Sequence, residues 1–191
     1  MSPNREFPAL EHAAKEIETI QSHFPVSQRS KFTGRDARPA VYRSAGPERF
    51  SLVHFSAHAV ANKESPLDSA IILSPEGREF KLYARNVISR PLTADLVTIS
   101  ACRSAGARSY QGEGLVGFAW AFLQAGARHV IAGLWDVTDS STPVIMDVLY
   151  SELAAGTSPA DALRAAKLQL IRSKQGYRKP YYWGPFQIYS R

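Results

Sequence analysis

Two side chains in this sequence have the types and the placement to form a nucleophile and its base. Cys102, in the stretch LVTISACRSAG (Leu96–Gly106), is the single cysteine of 191 residues, and it stands where an apolar run gives way to a loop of small residues. His58 stands 44 residues earlier, just past a second apolar run, FSLVHFSA (Phe50–Ala57). A thiol beside an imidazole is the pairing that produces a thiolate at neutral pH, and the thiolate is the nucleophilic form. The bland alternative for Cys102 is a buried, inert thiol, since free cysteine is among the most buried residue types. Its position beside Ser, Ala and Gly at a strand end argues for presentation instead. His54 is a rival base inside the strand; an even spacing from His58 puts both on one side and His54 beneath the site. His129 precedes a strand, at the wrong end of the sheet.

The elements that must hold such a pair can be read from periodicity. ALEHAAKEIETIQSHFP carries Leu10, Ala13, Ile17, Ile20 and Phe24 at helical spacing, and Pro25 ends it. VYRSAGPERF reads as a helix end and turn. Short apolar strands follow at Phe50–Ala57, Ala94–Ala101 and in RHVIAGLW, with a hairpin from Ala70 to Tyr83 turning through Pro75 and Gly77. ARNVIS is a short helix. GLVGFAWAFLQAGA is a helix apolar almost all round, hence buried. Trp120, Trp135 and Trp183 read as core or pocket wall. Two amphipathic helices begin at Ser141 and Ser158, each a capping residue with proline in the first turn, and WGPFQIYS is a last strand. Strands alternating with helices imply right-handed crossovers and a mostly parallel sheet, covered on both faces where the strands are continuously apolar. The expected fold is therefore a three-layer α/β domain, a mostly parallel central sheet flanked by helices. Sites in such sheets form beyond the carboxyl ends of the strands, and His58 and Cys102 both fall there.

Composition narrows the class. The formal net charge is +6, concentrated at the end: Arg164–Arg191 holds seven Lys or Arg and no acidic residue. This tail has the pattern of a folded helix and strand and reads as a solvated face rather than a nucleic-acid site. Apolar runs are far short of the ~20 residues that cross a bilayer, the N-terminus is too polar for a secretory signal, and one cysteine precludes an internal disulfide, so a reducing, cytoplasmic setting is expected. One cysteine and scattered histidines make no zinc set, and no cofactor is expected.

The order, histidine before cysteine, is the reverse of papain-like enzymes and is that of caspase-like ones, where the histidine stands roughly 50 residues upstream. LVHFSAHA, LVTISACRSAG, GEGLVGFAWAFLQAGARHVIAGLWDVTD, LYSELAAGTSPADALRAAKLQL and PYYWGPFQIY appear in order over residues 50–190. In these blocks the chain resembles CHAT domains, caspase-like cysteine peptidase domains often attached to tetratricopeptide repeats and distantly related to separase. The resemblance implies a caspase-like fold with residues 50–191 as its core and 1–49 as a helical, connecting part of the same domain, following a longer parent chain. It implies Cys102 as nucleophile and His58 as general base and acid, with the backbone N–H groups of Ala59 and Cys102 holding the oxyanion. The chain departs from the family at Ala59, where glycine is usual, and at Ser104, where threonine is usual.

For an enzyme of this type the partner is a protein or peptide substrate, and separase-like relatives prefer a basic residue before the scissile bond. That requires an acidic group in the pocket. Asp136 and Asp139, just after the strand that ends at Trp135, are the candidates; the competing role for Asp139 is to cap the next helix, and Glu113 reads as a charge at a helix start. Arg103 and Arg108, near Cys102, would instead suit an acidic substrate. Against the peptidase stands an interaction module that no longer cuts, attached to repeats or another regulatory domain. Ala59 favours the module; retention of both His58 and Cys102 favours the enzyme.

Overall fold

The computed structural model describes residue 7 and residues 10–62, 64–100, 112–133, 141–174 and 176–191, with the backbone alone for 112–116. Its elements, in chain order, are α1 (Ala13–Ser22), α2 (Pro39–Ser44), β1 (Leu52–Ser56), β2 (His58–Val60), β3 (Ala70–Glu76), β4 (Glu79–Tyr83), α3 (Ala84–Ile88), β5 (Leu96–Ser100), α4 (Gly112–Ala125), β6 (His129–Gly133), α5 (Thr142–Ala154), α6 (Pro159–Arg172), α7 (Pro180–Trp183) and β7 (Phe186–Ser190).

The larger sheet runs β1-β5-β6-β7. β1, β5 and β6 are parallel, and β7 closes the edge antiparallel to β6. β5 is buried at all five positions, Thr98 and Ser100 included, as a strand covered on both faces must be. Alternation splits the sheet into two cores. Val53, Phe55, Val97, Ile99, Val130 and Ala132 face α3, α4 and the hairpin, whereas Leu52, Leu96, Ile131 and Ile188 face α5 and α6. The three-layer, mostly parallel α/β architecture expected from the sequence is present, and it is consistent with a caspase-like fold.

A second, three-stranded antiparallel sheet, β2-β3-β4, was not legible in advance. The hairpin itself was, with Gly77 at φ 62 in its turn. What periodicity missed is that the chain bends at Ala57 and continues as a separate short strand paired to β3. The packing of α4 is held at its end by Gly126, at φ 119, where a Cβ would lie 2.3 Å from the Leu92 carbonyl oxygen; the Leu92 N–H donates to Ala125 O at 2.7 Å.

Two local expectations need correction. Trp120 is 48% exposed, because α4 buries Phe118, Ala119, Ala121, Phe122 and Ala125 and leaves position 120 on the outer side; Trp183 is partly buried against the α5–α6 core. Ser141 occupies the N-cap position of α5, but its backbone is already helical and its side chain makes no capping bond there, whereas Ser158 accepts from Asp161 N–H as expected.

Candidate active site

The parallel pairing of β1 with β5 decides what can meet at the carboxyl end of the sheet. Each β1 residue faces the β5 residue 44 positions on, from Leu52 opposite Leu96 to Ser56 opposite Ser100. The same separation divides His58 from Cys102. One further bond ties the ends together, Ala57 N–H to Ser100 O at 3.2 Å. β6, parallel to β5 on its other side, ends at Gly133 at this same end of the sheet.

His58 opens β2 opposite Ile72 and is 6% exposed, with the Phe7 ring against its imidazole at 5.8 Å. Ala59 pairs with Ile71 and has no left-handed backbone, so a Cβ at this position is unstrained. Cys102, Asp136 and Asp139 lie outside the described residues, as do Arg103, Ser104, Arg108 and Trp135.

His54 and His58 lie in different sheets, on either side of the bend at Ala57. His54 faces α1 and α5, where both its ring nitrogens are engaged: Nε2 donates to Glu16 Oε1 at 2.8 Å, and Nδ1 lies 3.0 Å from the Tyr150 hydroxyl. That hydroxyl donates to Thr98 Oγ1 at 3.1 Å, and Ser100 Oγ donates to Glu16 Oε2 at 3.2 Å. His54 and Thr98 are register partners, so this polar group spans β1 and β5 directly below their carboxyl ends. Burial pushes the Tyr150 phenol well above the ordinary tyrosine range, the Thr98 bond opposing it in part. Sequence reading passed over Glu16, Thr98, Ser100 and Tyr150. The available signal was a histidine at the centre of an apolar strand, which needs buried partners, and a glutamate one turn before Ile20 on the inward stripe of α1.

His129 opens β6 at the opposite end of the sheet, with Nδ1 2.8 Å from Ser190 Oγ, as expected. An open groove at that end is lined by His23, Ser51, Asp95, Arg128 and Thr157, with the Arg128–Asp95 ion pair at 2.8 Å on its rim.

The CHAT domain family matches residues 2–191. The chain belongs to the CHAT domain family. Within the CHAT domain, 114 residues, 60% of the chain, are 30% identical to tetratricopeptide repeat protein 28 of Mus musculus and 26% identical to its counterpart in Homo sapiens. The matched stretch is 5% of the mouse protein and 4% of the human one. Among the described residues of this CHAT domain, no helix is long and apolar enough to cross a membrane.

Proposed function

We propose that this CHAT domain is a cysteine endopeptidase, with Cys102 as nucleophile and His58 as general acid and base, cleaving after a basic residue. The observation that carries the reading is the β1–β5 pairing. The strand before the histidine and the strand before the cysteine are parallel neighbours in a register of 44 residues. Family membership supports it independently.

In this mechanism the Cys102 thiolate attacks the scissile carbonyl, forming a tetrahedral oxyanion held by the Ala59 and Cys102 N–H groups. His58 protonates the leaving amine, the acyl-enzyme forms, and His58 then draws a proton from water to release the acid product. Asp136 or Asp139 would pair with the substrate guanidinium or ammonium group, arginine bidentately. Both follow β6 in sequence, and β6 is the parallel neighbour of β5, so its carboxyl end lies at the same end of the sheet. The lone thiol suits a reducing, cytoplasmic setting. The relatives named tetratricopeptide repeat proteins support a parent chain that carries such repeats.

A non-cutting interaction module is the second reading. The shielding of His58, buried with Phe7 against its ring, favours it.

The test is a fluorogenic peptide panel differing only in the residue before the scissile bond. Expected is cleavage after Arg or Lys, abolished by Cys102→Ala, reduced about 100-fold or more by His58→Ala, and weakened by Asp136→Ala or Asp139→Ala. Cleavage after Asp, or cleavage indifferent to Cys102, would overturn the assignment. Silence on every peptide by the full parent chain would favour the module.

A further inference from the structure

Glu16 is the only carboxylate buried among the described residues, 2% exposed on a helix whose other buried residue is Ile20. A buried carboxylate is costly unless hydrogen-bonded, and an apolar pair of similar volume often serves stability as well or better. Its two oxygens do different things. Oε1 takes the Nε2 proton of His54 on β1, and Oε2 takes the hydroxyl proton of Ser100, the last residue of β5. His54 lies four residues before His58, and Ser100 two residues before Cys102.

We infer that Glu16 is a positioning residue for the peptidase site, a single carboxylate that fixes the carboxyl end of β5 against β1 and so sets the approach of the strand ends leading to Cys102 and His58. The inference rests on the proposed peptidase reading. It involves no contact with substrate. Glu16 acts through Ser100 and His54, with Tyr150 bracing the His54–Thr98 pair from α5.

Alkylation of Cys102 by iodoacetamide across pH tests it without needing a substrate, and because the chain has one cysteine the signal has one origin. A thiol activated by a nearby imidazole reacts at a midpoint below the free-cysteine value of about 8.5. Glu16→Gln and Ser100→Ala should each move that midpoint up towards the free value and slow the reaction at pH 7 roughly fivefold or more, about 0.7 pKa units. Loss of a neighbouring negative charge would by itself move the midpoint down, so a rise reports geometry and not charge. Leu163→Val in α6, matched to the variants in melting temperature, should leave the midpoint where the wild type has it. Ser100→Ala removes one hydroxyl and keeps the test available if Glu16→Gln does not fold. Unchanged midpoints in the variants, or an equal shift in the Leu163→Val protein, would overturn the inference and leave the peptidase reading intact. A wild-type midpoint at the free-cysteine value would overturn both, and it is distinguishable because it shows in the unmodified protein.

Discussion

On one face of the large sheet, Val53, Phe55, Val97, Ile99, Val130 and Ala132 meet α3, α4 and the hairpin through apolar side chains. On the other, Leu52, Leu96 and Ile131 alternate with His54, Thr98 and Ser100 against α1 and α5, and the polar members lie towards the carboxyl ends. Both faces are buried, so the difference is not one of solvent. The first needs only shape and area, and its energy comes from removing apolar surface from water. The second needs every donor and acceptor matched, because an unmatched one costs more than the matched one contributes. Among the described residues each face buries one tyrosine. Tyr42, on the α4 side, has no hydrogen-bond partner for its hydroxyl among the described residues; the Tyr150 hydroxyl touches two. The α1–α5 side carries a connected polar network, Glu16 with His54 and Ser100 and Tyr150 with His54 and Thr98, directly below the end where chemistry is proposed, although Thr142 Oγ1 at the start of α5 has no partner among the described residues.

The largest effect should come from the apolar face. Phe122→Ala, which removes a fully buried ring packed on Phe55, Phe118 and Tyr42, is expected to cost about 3–5 kcal/mol in chemical denaturation. A loss under 1 kcal/mol would mean this face is not the stabilising core. Next comes Tyr150→Phe, which leaves His54 and Thr98 each short of a partner at unchanged packing volume, for about 1–3 kcal/mol. Tyr42→Phe removes a hydroxyl that bonds nothing described and should be neutral within about 0.5 kcal/mol, or stabilising. If the two Phe variants destabilise equally, the contrast between the faces is lost.

The smallest effect is visible only in alkali. Burial holds both phenols above the ordinary tyrosine value of about 10. Above that pH the unfolded chain has released protons that the folded one keeps. The unfolded state therefore binds fewer protons, and stability falls as pH rises past 10; below it, neither group contributes a slope. Melting temperatures from pH 9 to 11 should decline, and each Phe variant should flatten the decline. An unaltered slope in both would place its origin elsewhere.

The fold was largely legible because its signals are local and redundant. Leu96–Ser100 is mostly apolar and lies inside the sheet between β1 and β6; Ser158 and Pro159 announce the start of α6, and Gly77 the hairpin turn. The polar clamp was not legible, because Glu16, His54, Ser100 and Tyr150 are distant in sequence and each is ordinary in isolation. In α1 the apolar stripe was seen but its buried glutamate was passed over. The separate strand at His58 was missed for a related reason: three residues, HAV, carry too little pattern to reveal that a strand has changed sheets. For the candidate pair, histidine and cysteine were legible as types at strand ends, and the structure adds that the strands preceding them, β1 and β5, are parallel neighbours.

The bend at Ala57 has a consequence for how such a domain can diversify. The proposed acid–base residue is carried by the small antiparallel sheet, while the strand leading to the nucleophile belongs to the large parallel one. Substitutions or insertions at the exposed turn of the hairpin, around Gly77, would tilt the platform under His58 while β5 stays paired between β1 and β6. One half of the pair is thereby free to drift in orientation, and with it rate and substrate preference, while the other stays anchored to the part of the molecule that cannot change without unfolding.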